Sequence, residues 1–380
     1  SNYDGDIEGF AFSPDEKNRL SVFASAANTD RDSYYGPGND PLKAYGNTTD
    51  LTAMGGAQYV HTFDKCFFMP SDLTAGLEYN RDRLKDNMWG YDRHTDQTVN
   101  IYSAFLQNEW KNDRWGILIG GRLDKHNMVD NVIFSPRANL RFNPTQNINL
   151  RLSYSSGFRA PQAFDEDMHI ENVGGTVAMI ERAKNLKEEK SQSFSASADM
   201  YHRFGVFQTN FLIEGFYTRL TDVFVLGEPY DRGDGILVKT RSNGPGAKVM
   251  GLTLEGKVAY LSILQIQAGL TLQRSRYDEP HKWHDDAPAE KKIFRTPDTY
   301  GYFTATYTPI KPLSIALSGT YTGRMLVQRM DITAENAELG AMPERKAEAI
   351  RTPRFFDLGV KLAYDFKLYK TVDLQLNGGV

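Results

Sequence analysis

The 380-residue chain has one cysteine, Cys66, so neither a disulfide framework nor a multi-cysteine metal site is open to it. Cys66 follows Phe63-Asp64-Lys65 and precedes Phe67-Phe68, between two strand-like runs, where it reads as a bystander. Charge of one sign is missing as well. Forty-four Lys and Arg against 48 Asp and Glu leave a net charge of -4. That balance excludes the concentrated basic face that nucleic acid requires and an acidic disordered tail. No stretch approaches the roughly 18 consecutive apolar residues of a transmembrane helix. The opening Ser1-Asn2-Tyr3-Asp4 has no leader-peptide architecture, so secretion is not legible there.

What the chain has is aromatics, 12% of residues with 20 Tyr and 22 Phe, placed in a strict alternation. Ile148, Leu150, Leu152 and Tyr154 share one parity; Asn147, Asn149, Arg151 and Ser153 share the other. Phe194, Ala196, Ala198 and Met200 alternate with Ser193, Ser195, Ser197 and Asp199. Leu264, Ile266, Ala268, Leu270 and Leu272 alternate with Gln265, Gln267, Gly269, Thr271 and Gln273. Side chains two apart share one face of a strand, so each segment is apolar on one side only. About fifteen to sixteen such segments occur, each near the roughly 10 residues of a membrane-crossing barrel strand. One stretch, 176–188, competes as a helix.

The connections alternate between short and long. Polar turns fall at 143–146, 203–205, 261–262, 309–312 and 368–370; irregular stretches fall at 30–47, 81–96, 157–187, 227–246, 277–297 and 324–352. Tight turns at one end and long loops at the other make an antiparallel meander. Tyr79, Trp110, Trp115, Tyr154, Tyr260, Tyr307, Tyr321 and Tyr364 lie at strand ends, where a membrane-interface girdle places aromatics. A soluble sandwich tends to carry Lys, Glu and Thr on its wet face; here that face is mostly Ser, Asn, Gln, Thr and Gly. The expected class is therefore all-β, an antiparallel meander transmembrane β-barrel.

The stretch from Gly121 to Pro161 narrows the reading. It contains Gly121-Arg122-Leu123-Asp124, Phe134-Ser135-Pro136-Arg137 and Leu150-Arg151-Leu152-Ser153-Tyr154-Ser155-Ser156-Gly157-Phe158-Arg159-Ala160-Pro161. Further on stand Asn185-Leu186-Lys187-Glu188-Glu189-Lys190-Ser191, Phe216-Tyr217-Thr218-Arg219-Leu220-Thr221-Asp222, and Asn243 through Gly251-Leu252-Thr253-Leu254-Glu255. In order and spacing these resemble the barrel of TonB-dependent outer-membrane receptors, well over 120–380 and less specifically over 18–120. The resemblance implies a 22-stranded barrel around a plug, of which 1–380 would be part of the wall. The plug with its TonB-contacting segment, several early strands and the last one or two strands would be missing from it, leaving about 15–16 of the strands. It implies placement in the bacterial outer membrane, with lipid, TonB and a small metal-chelate as partners. Cargo would be a large, scarce nutrient such as a ferric siderophore, haem or cobalamin, carrying its own iron or cobalt, and no protein cofactor would be needed. Physical reasons agree: Pro161 cannot donate to a ladder, so a strand must end there, and Glu255 falls on the water-facing parity.

Enzyme chemistry is not indicated. Gly244-Pro245-Gly246 precedes a strand, so it is a turn rather than a phosphate loop. Asn28, Asp30 and Asp32 offer oxygens, but no metal site is assigned to them. His281 and His284, with Trp283 between them, form the one histidine cluster, in a charged loop. Candidate ligand contacts are large or basic residues of the long connections: Tyr34, Tyr35, Trp89, Arg159, Tyr230, His281, Trp283, His284, Met325 and Met330. Arg159 also has a competing role as a loop anchor for Asp165, Glu166 or Asp167. An outer-membrane adhesin without transport is the alternative reading.

Overall fold

The computed structural model describes residues 1–34, 45–89, 93–163, 171–173, 176–233, 237–283, 287–332, 345–369 and 372–380. The alternating segments form β1 (Asn2–Phe12), β2 (Asn18–Tyr34), β3 (Tyr45–Cys66), β4 (Met69–Met88), β5 (Arg93–Lys111), β6 (Trp115–His126), β7 (Ile133–Thr145) and β8 (Ile148–Arg159). A short excursion follows through β9 (Glu171–Val173) and β10 (Thr176–Arg182), then β11 (Glu189–Phe204) and β12 (Phe207–Thr221). A second excursion through β13 (Phe224–Asp231) and β14 (Leu237–Asn243) leads to β15 (Ala247–Tyr260) and β16 (Leu264–His281). Next come β17 (Glu290–Lys292), β18 (Thr299–Ile310) and β19 (Leu313–Thr322). The pair β20 (Leu326–Ile332) and β21 (Arg345–Arg351) precedes β22 (Phe355–Tyr369) and β23 (Val372–Gly379).

These make one 17-stranded sheet, a small sheet ordered β13-β14-β10-β9, and the β20–β21 pair. Short β17 apart, the large sheet is a meander in which every neighbour is antiparallel, at a count close to the one the alternation predicts. β1 and β23 do not pair, so the wall is not closed within the described residues. No α-helix occurs among the described residues. The stretch 176–188, which competes as a helix in the sequence, instead holds β10 over Thr176–Arg182, which pairs parallel with β14 from Ala178↔Leu237 to Arg182↔Arg241. That partner lies far along the chain, so nothing in the local period announces it.

Register decides which way each residue faces. Leu77 and Tyr79 oppose Ala104 and Tyr102, which in turn oppose Leu123 and Lys125. Leu77, Leu106, Ile119 and Leu152 are 65%, 56%, 56% and 54% exposed, so no second protein layer covers the apolar face. The other parity is polar and turned inward, with Ser103 Oγ donating to Asp124 Oδ1 at 2.6 Å. On the same inner face Tyr302 Oη donates to Glu255 Oε2 at 2.7 Å, and Gln267 donates to both. A carboxylate is easily held there because its lone pairs are met and water has access.

All eight girdle aromatics fall on the outward parity. Trp110, Trp115, Tyr260, Tyr307 and Tyr364 ring the short-turn end; Tyr79, Tyr154 and Tyr321 ring the other. From Tyr102 to Trp110 is about 27 Å of strand, which at a barrel tilt rises about 20 Å, near the apolar band of outer-membrane barrels. The strands continue beyond this belt. Residues 81–88 and 93–96, read from sequence as irregular, pair residue by residue, from Arg81↔Asn100 to Met88↔Arg93. There Arg81, Arg83 and Lys85 take over the outward face, while Leu84, Asp86 and Met88 are buried inside. With polar residues on the outer face the alternation loses its contrast, though the ladder does not stop.

Candidate functional site

Above the belt, at the end with the long connections, the inner face gathers arginines. Arg93 opens β5 and pairs through Nη2 with Asp86 Oδ2 at 2.7 Å, both side chains being nearly buried. Thr48 Oγ1 donates to the other carboxylate oxygen, also at 2.7 Å, so this charge is held by two strands. Two residues inward of Thr95, Gln97 accepts through Oε1 from the Ala163 backbone N–H at 2.7 Å and from Arg182 Nη1 at 3.0 Å. Arg182 also donates to the Pro161 carbonyl at 3.0 Å. These bonds dock the β10 end of the small sheet on the wall.

His126 is fully buried beside this junction. The Met128 N–H donates to its Nδ1 at 3.0 Å, so the proton sits on Nε2, which faces Gln162 Oε1 at 3.1 Å. The imidazole thereby fixes the chain just after Pro161. Between wall and small sheet opens a cavity of about 590 Å³ whose walls include Arg93, His94, Glu181, Arg182, Lys184 and Arg232. Arg93 is paired with Asp86, and Arg182, Lys184, Arg232 and Glu181 complete a lining rich in charged hydrogen-bonding groups. Nearby, Glu188 lies 3.0 Å from the Lys190 ammonium. Partial burial opposes its ionisation, yet a backbone N–H and Lys190 outweigh that and hold the carboxyl below its ordinary range. Among the described residues no group of three His, Cys, Asp or Glu side chains is arranged for a metal. The chemistry on offer is polar recognition by charged donors and acceptors.

The residues singled out from sequence are dispersed around this end. Tyr230, on β13, reaches the cavity margin, its hydroxyl 3.5 Å from Glu181 Oε2. Arg159 places its guanidinium 5.6 Å above the Phe224 ring; Asp165, Glu166 and Asp167 lie outside the described residues. Tyr34 packs edge-on against Tyr45 at the outer tips of β2 and β3. Trp89 is exposed beyond β4. The His281 ring lies tilted against Tyr277, and Trp283 meets Phe294 edge-on. The Met325 N–H donates to Thr352 Oγ1 at 3.1 Å. Met330 belongs to β20, its side chain outside the described residues, as are Tyr35 and His284. Arg93, His94, Arg182, Lys184 and Arg232 were not anticipated. Arg182 and Lys184 lie within the stretch that reads as helical, and only the β10–β14 pairing turns that stretch toward the lumen mouth.

A meander with an outward apolar belt, two aromatic girdles and a polar inner face is now in hand. The family described as TonB dependent receptor-like, beta-barrel matches residues 1–380. The chain belongs to this family. TonB-dependent receptor barrels are transport receptors of the outer membrane of Gram-negative bacteria. The receptor wall resembles several solved ones at low identity. Against the siderophore receptor PirA from Acinetobacter baumannii the TM-score is 0.70 at 14% identity, covering 99% of this chain and 57% of that one. A mutant ferric enterobactin receptor from Pseudomonas aeruginosa, in complex with enterobactin, gives 0.69 at 16%, covering 98% and 56%. The ferric-catecholate import receptor Fiu from E. coli gives 0.65 at 12%, covering 99% and 58%. No curated protein matches the chain. The chain thus spans little more than half the length of those receptors, and the likeness to them is one of fold.

Proposed function

We propose that this wall belongs to an outer-membrane receptor that captures a ferric siderophore at its outer mouth and imports it with energy transmitted by TonB. The observation that carries the reading is the cavity between the wall and the β9–β14 sheet, whose lining carries Arg182, Lys184 and Arg232. Ferric complexes of catecholate or carboxylate chelators are anionic, and Arg182, Lys184 and Arg232 offer them charge-assisted hydrogen bonds. The receptors named above as siderophore and ferric-catecholate receptors support that cargo over haem or cobalamin. TonB would act on a plug enclosed by the wall, and the polar inner face, with its Glu255–Gln267–Tyr302 network, suits a wet lumen.

A titration of the full-length protein with a ferric catecholate, followed by quenching of intrinsic fluorescence, tests this reading. Tight binding is expected, weakened about a hundredfold or more when Arg182 and Arg232 are both changed to Gln, since each lost charged hydrogen bond contributes roughly 1.5–3 kcal/mol net of water. Absence of binding to catecholate, hydroxamate and carboxylate chelates alike would turn the account toward the surface adhesin.

A further inference from the structure

On the outer surface of β11, β12, β15 and β16, the apolar belt gives way to cations in one step. Gln192, Arg219, Lys248 and Arg276 form one cross-strand row. The row beneath holds Phe194, Tyr217, Met250 and Arg274, and the next holds Ala196, Gly215, Leu252 and Leu272. Adjacent strands lie about 4.8 Å apart, so Arg219, Lys248 and Arg276 span about 10 Å with Arg274 under them. Asp278 binds Arg219 through two contacts of 2.6 Å and lies 3.7 Å from Lys248. The Arg219 guanidinium and then Lys248 hold its carboxyl below the ordinary range, so it stays ionised and offsets one of the four cations.

Below these cations the wall is hollowed. A groove of about 1140 Å³ runs between Tyr154, Phe194, Leu252 and Leu272, over the small residues Ala196 and Gly215, with Arg274 at its upper rim. A Cβ placed on Gly215 would meet nothing within 4 Å, so the missing side chain leaves open space. A further 580 Å³ carries the groove down to Trp115 and Phe142 at the lower girdle. A groove bounded by both girdles has the length of an acyl chain, and its charged end lies at headgroup height.

We propose that this face is a binding site for a phosphorylated, acylated lipid of the outer leaflet, with phosphate on Lys248, Arg274 and Arg276 and an acyl chain in the Gly215 groove. The occupant follows from the pairing of features: an apolar groove alone takes any hydrocarbon, whereas cations at its mouth select a phosphorylated headgroup. The site requires the wall to stand in a membrane but does not depend on which cargo the mouth captures.

Native mass spectrometry of the full-length protein in detergent, titrated with a diphosphorylated acylated glycolipid and its dephosphorylated form, tests the proposal. The phosphorylated form should bind tightly and the dephosphorylated form at least tenfold more weakly. Lys248→Gln with Arg276→Gln should weaken the phosphorylated lipid about twenty-five-fold, at roughly fivefold per cation. Gly215→Phe should weaken both lipids alike by filling the groove, while ferric-chelate binding at the mouth is unchanged and heat-modifiable gel migration shows the barrel folded. The proposal is overturned if the charge variant binds like the wild type, if inorganic phosphate alone displaces the lipid, or if the face is occupied by a second copy of the chain. Loss of chelate binding with intact lipid binding would sink the uptake reading and leave this one standing.

Discussion

Arg182 donates to Gln97 across 85 residues of chain, and the same Gln97 oxygen receives the Ala163 N–H. Gln97 is 4% exposed, whereas Arg182 is itself exposed, so the Ala163 N–H is the donor that depends most on this oxygen. Gln97→Leu removes the acceptor of the Ala163 N–H, at about 1–3 kcal/mol, while Arg182 keeps its bond to the Pro161 carbonyl. The expected result is faster hydrogen exchange over 160–163 and 179–186 with the wall unchanged, and chelate affinity lowered about tenfold. Unchanged exchange in both segments would show that the small sheet is held by other contacts.

Asp86 sits at the other anchor, bridging Arg93 and Thr48 with almost no exposure. Removing one partner of a buried pair strands the other charge, typically at about 3–5 kcal/mol. Asp86→Ala should therefore lower the midpoint of urea unfolding markedly. The exposed pair Lys85–Asp96, at 3.7 Å, contributes about 0–1 kcal/mol, and Asp96→Ala should be nearly silent.

Asp82 and Asp50 meet on the inner face above the belt, between the levels of outward Arg81 and Arg83. Burial and then the neighbouring Asp50 push Asp82 up to about 6, from an ordinary 3.8. Asp50 Oδ1 is buried with no donor, and a proton on Asp82 is what would supply one. For an acid whose folded pKa is raised, the folded state holds its proton more tightly than the unfolded chain. Stability from this group is thus full below about pH 4 and falls as pH rises through 6. Unfolding at pH 5 and pH 7.5 should differ in favour of pH 5, and Asp82→Asn should remove that part of the difference. An unaltered pH profile in the variant would refute the pairing.

Leu270 lies within the apolar belt, on the row of Ile213 and Leu254. An arginine there faces hydrocarbon and should cost about 2–4 kcal/mol. Gln265→Arg, on the inward parity of the same strand, should be tolerated. Refolding into lipid vesicles followed by tryptophan fluorescence separates them; equal behaviour of the two would mean that the outward face does not meet lipid.

Much of the wall was legible because a strand in this setting has two solvents. Wherever hydrocarbon lies on one side and enclosed water on the other, composition must alternate, and segments such as 147–154 and 264–273 show it directly. Legibility ended at the girdle. Past Tyr79 the outer face of β4 no longer meets hydrocarbon, so Arg81, Arg83 and Lys85 erased the contrast although pairing runs on to Met88 with Leu84, Asp86 and Met88 buried inside. The ligand-contact residues named from sequence were chosen for size and for lying in long connections, and among those within the described residues only Tyr230 comes to the margin of this cavity.

Local periodicity, aromatic placement and the ordered motifs of 121–255 determined by themselves that this chain is an all-β meander with a greasy outside, and which family it resembles. Tertiary structure alone decided that Arg93, Arg182 and Arg232 share a cavity, that 176–182 is a strand, and that Arg219, Lys248 and Arg276 stand in a row above a groove. The physical reason is range. Which solvent a face meets is written every second residue, whereas a convergence of charges depends on pairings between strands distant in the chain, and no local pattern encodes those.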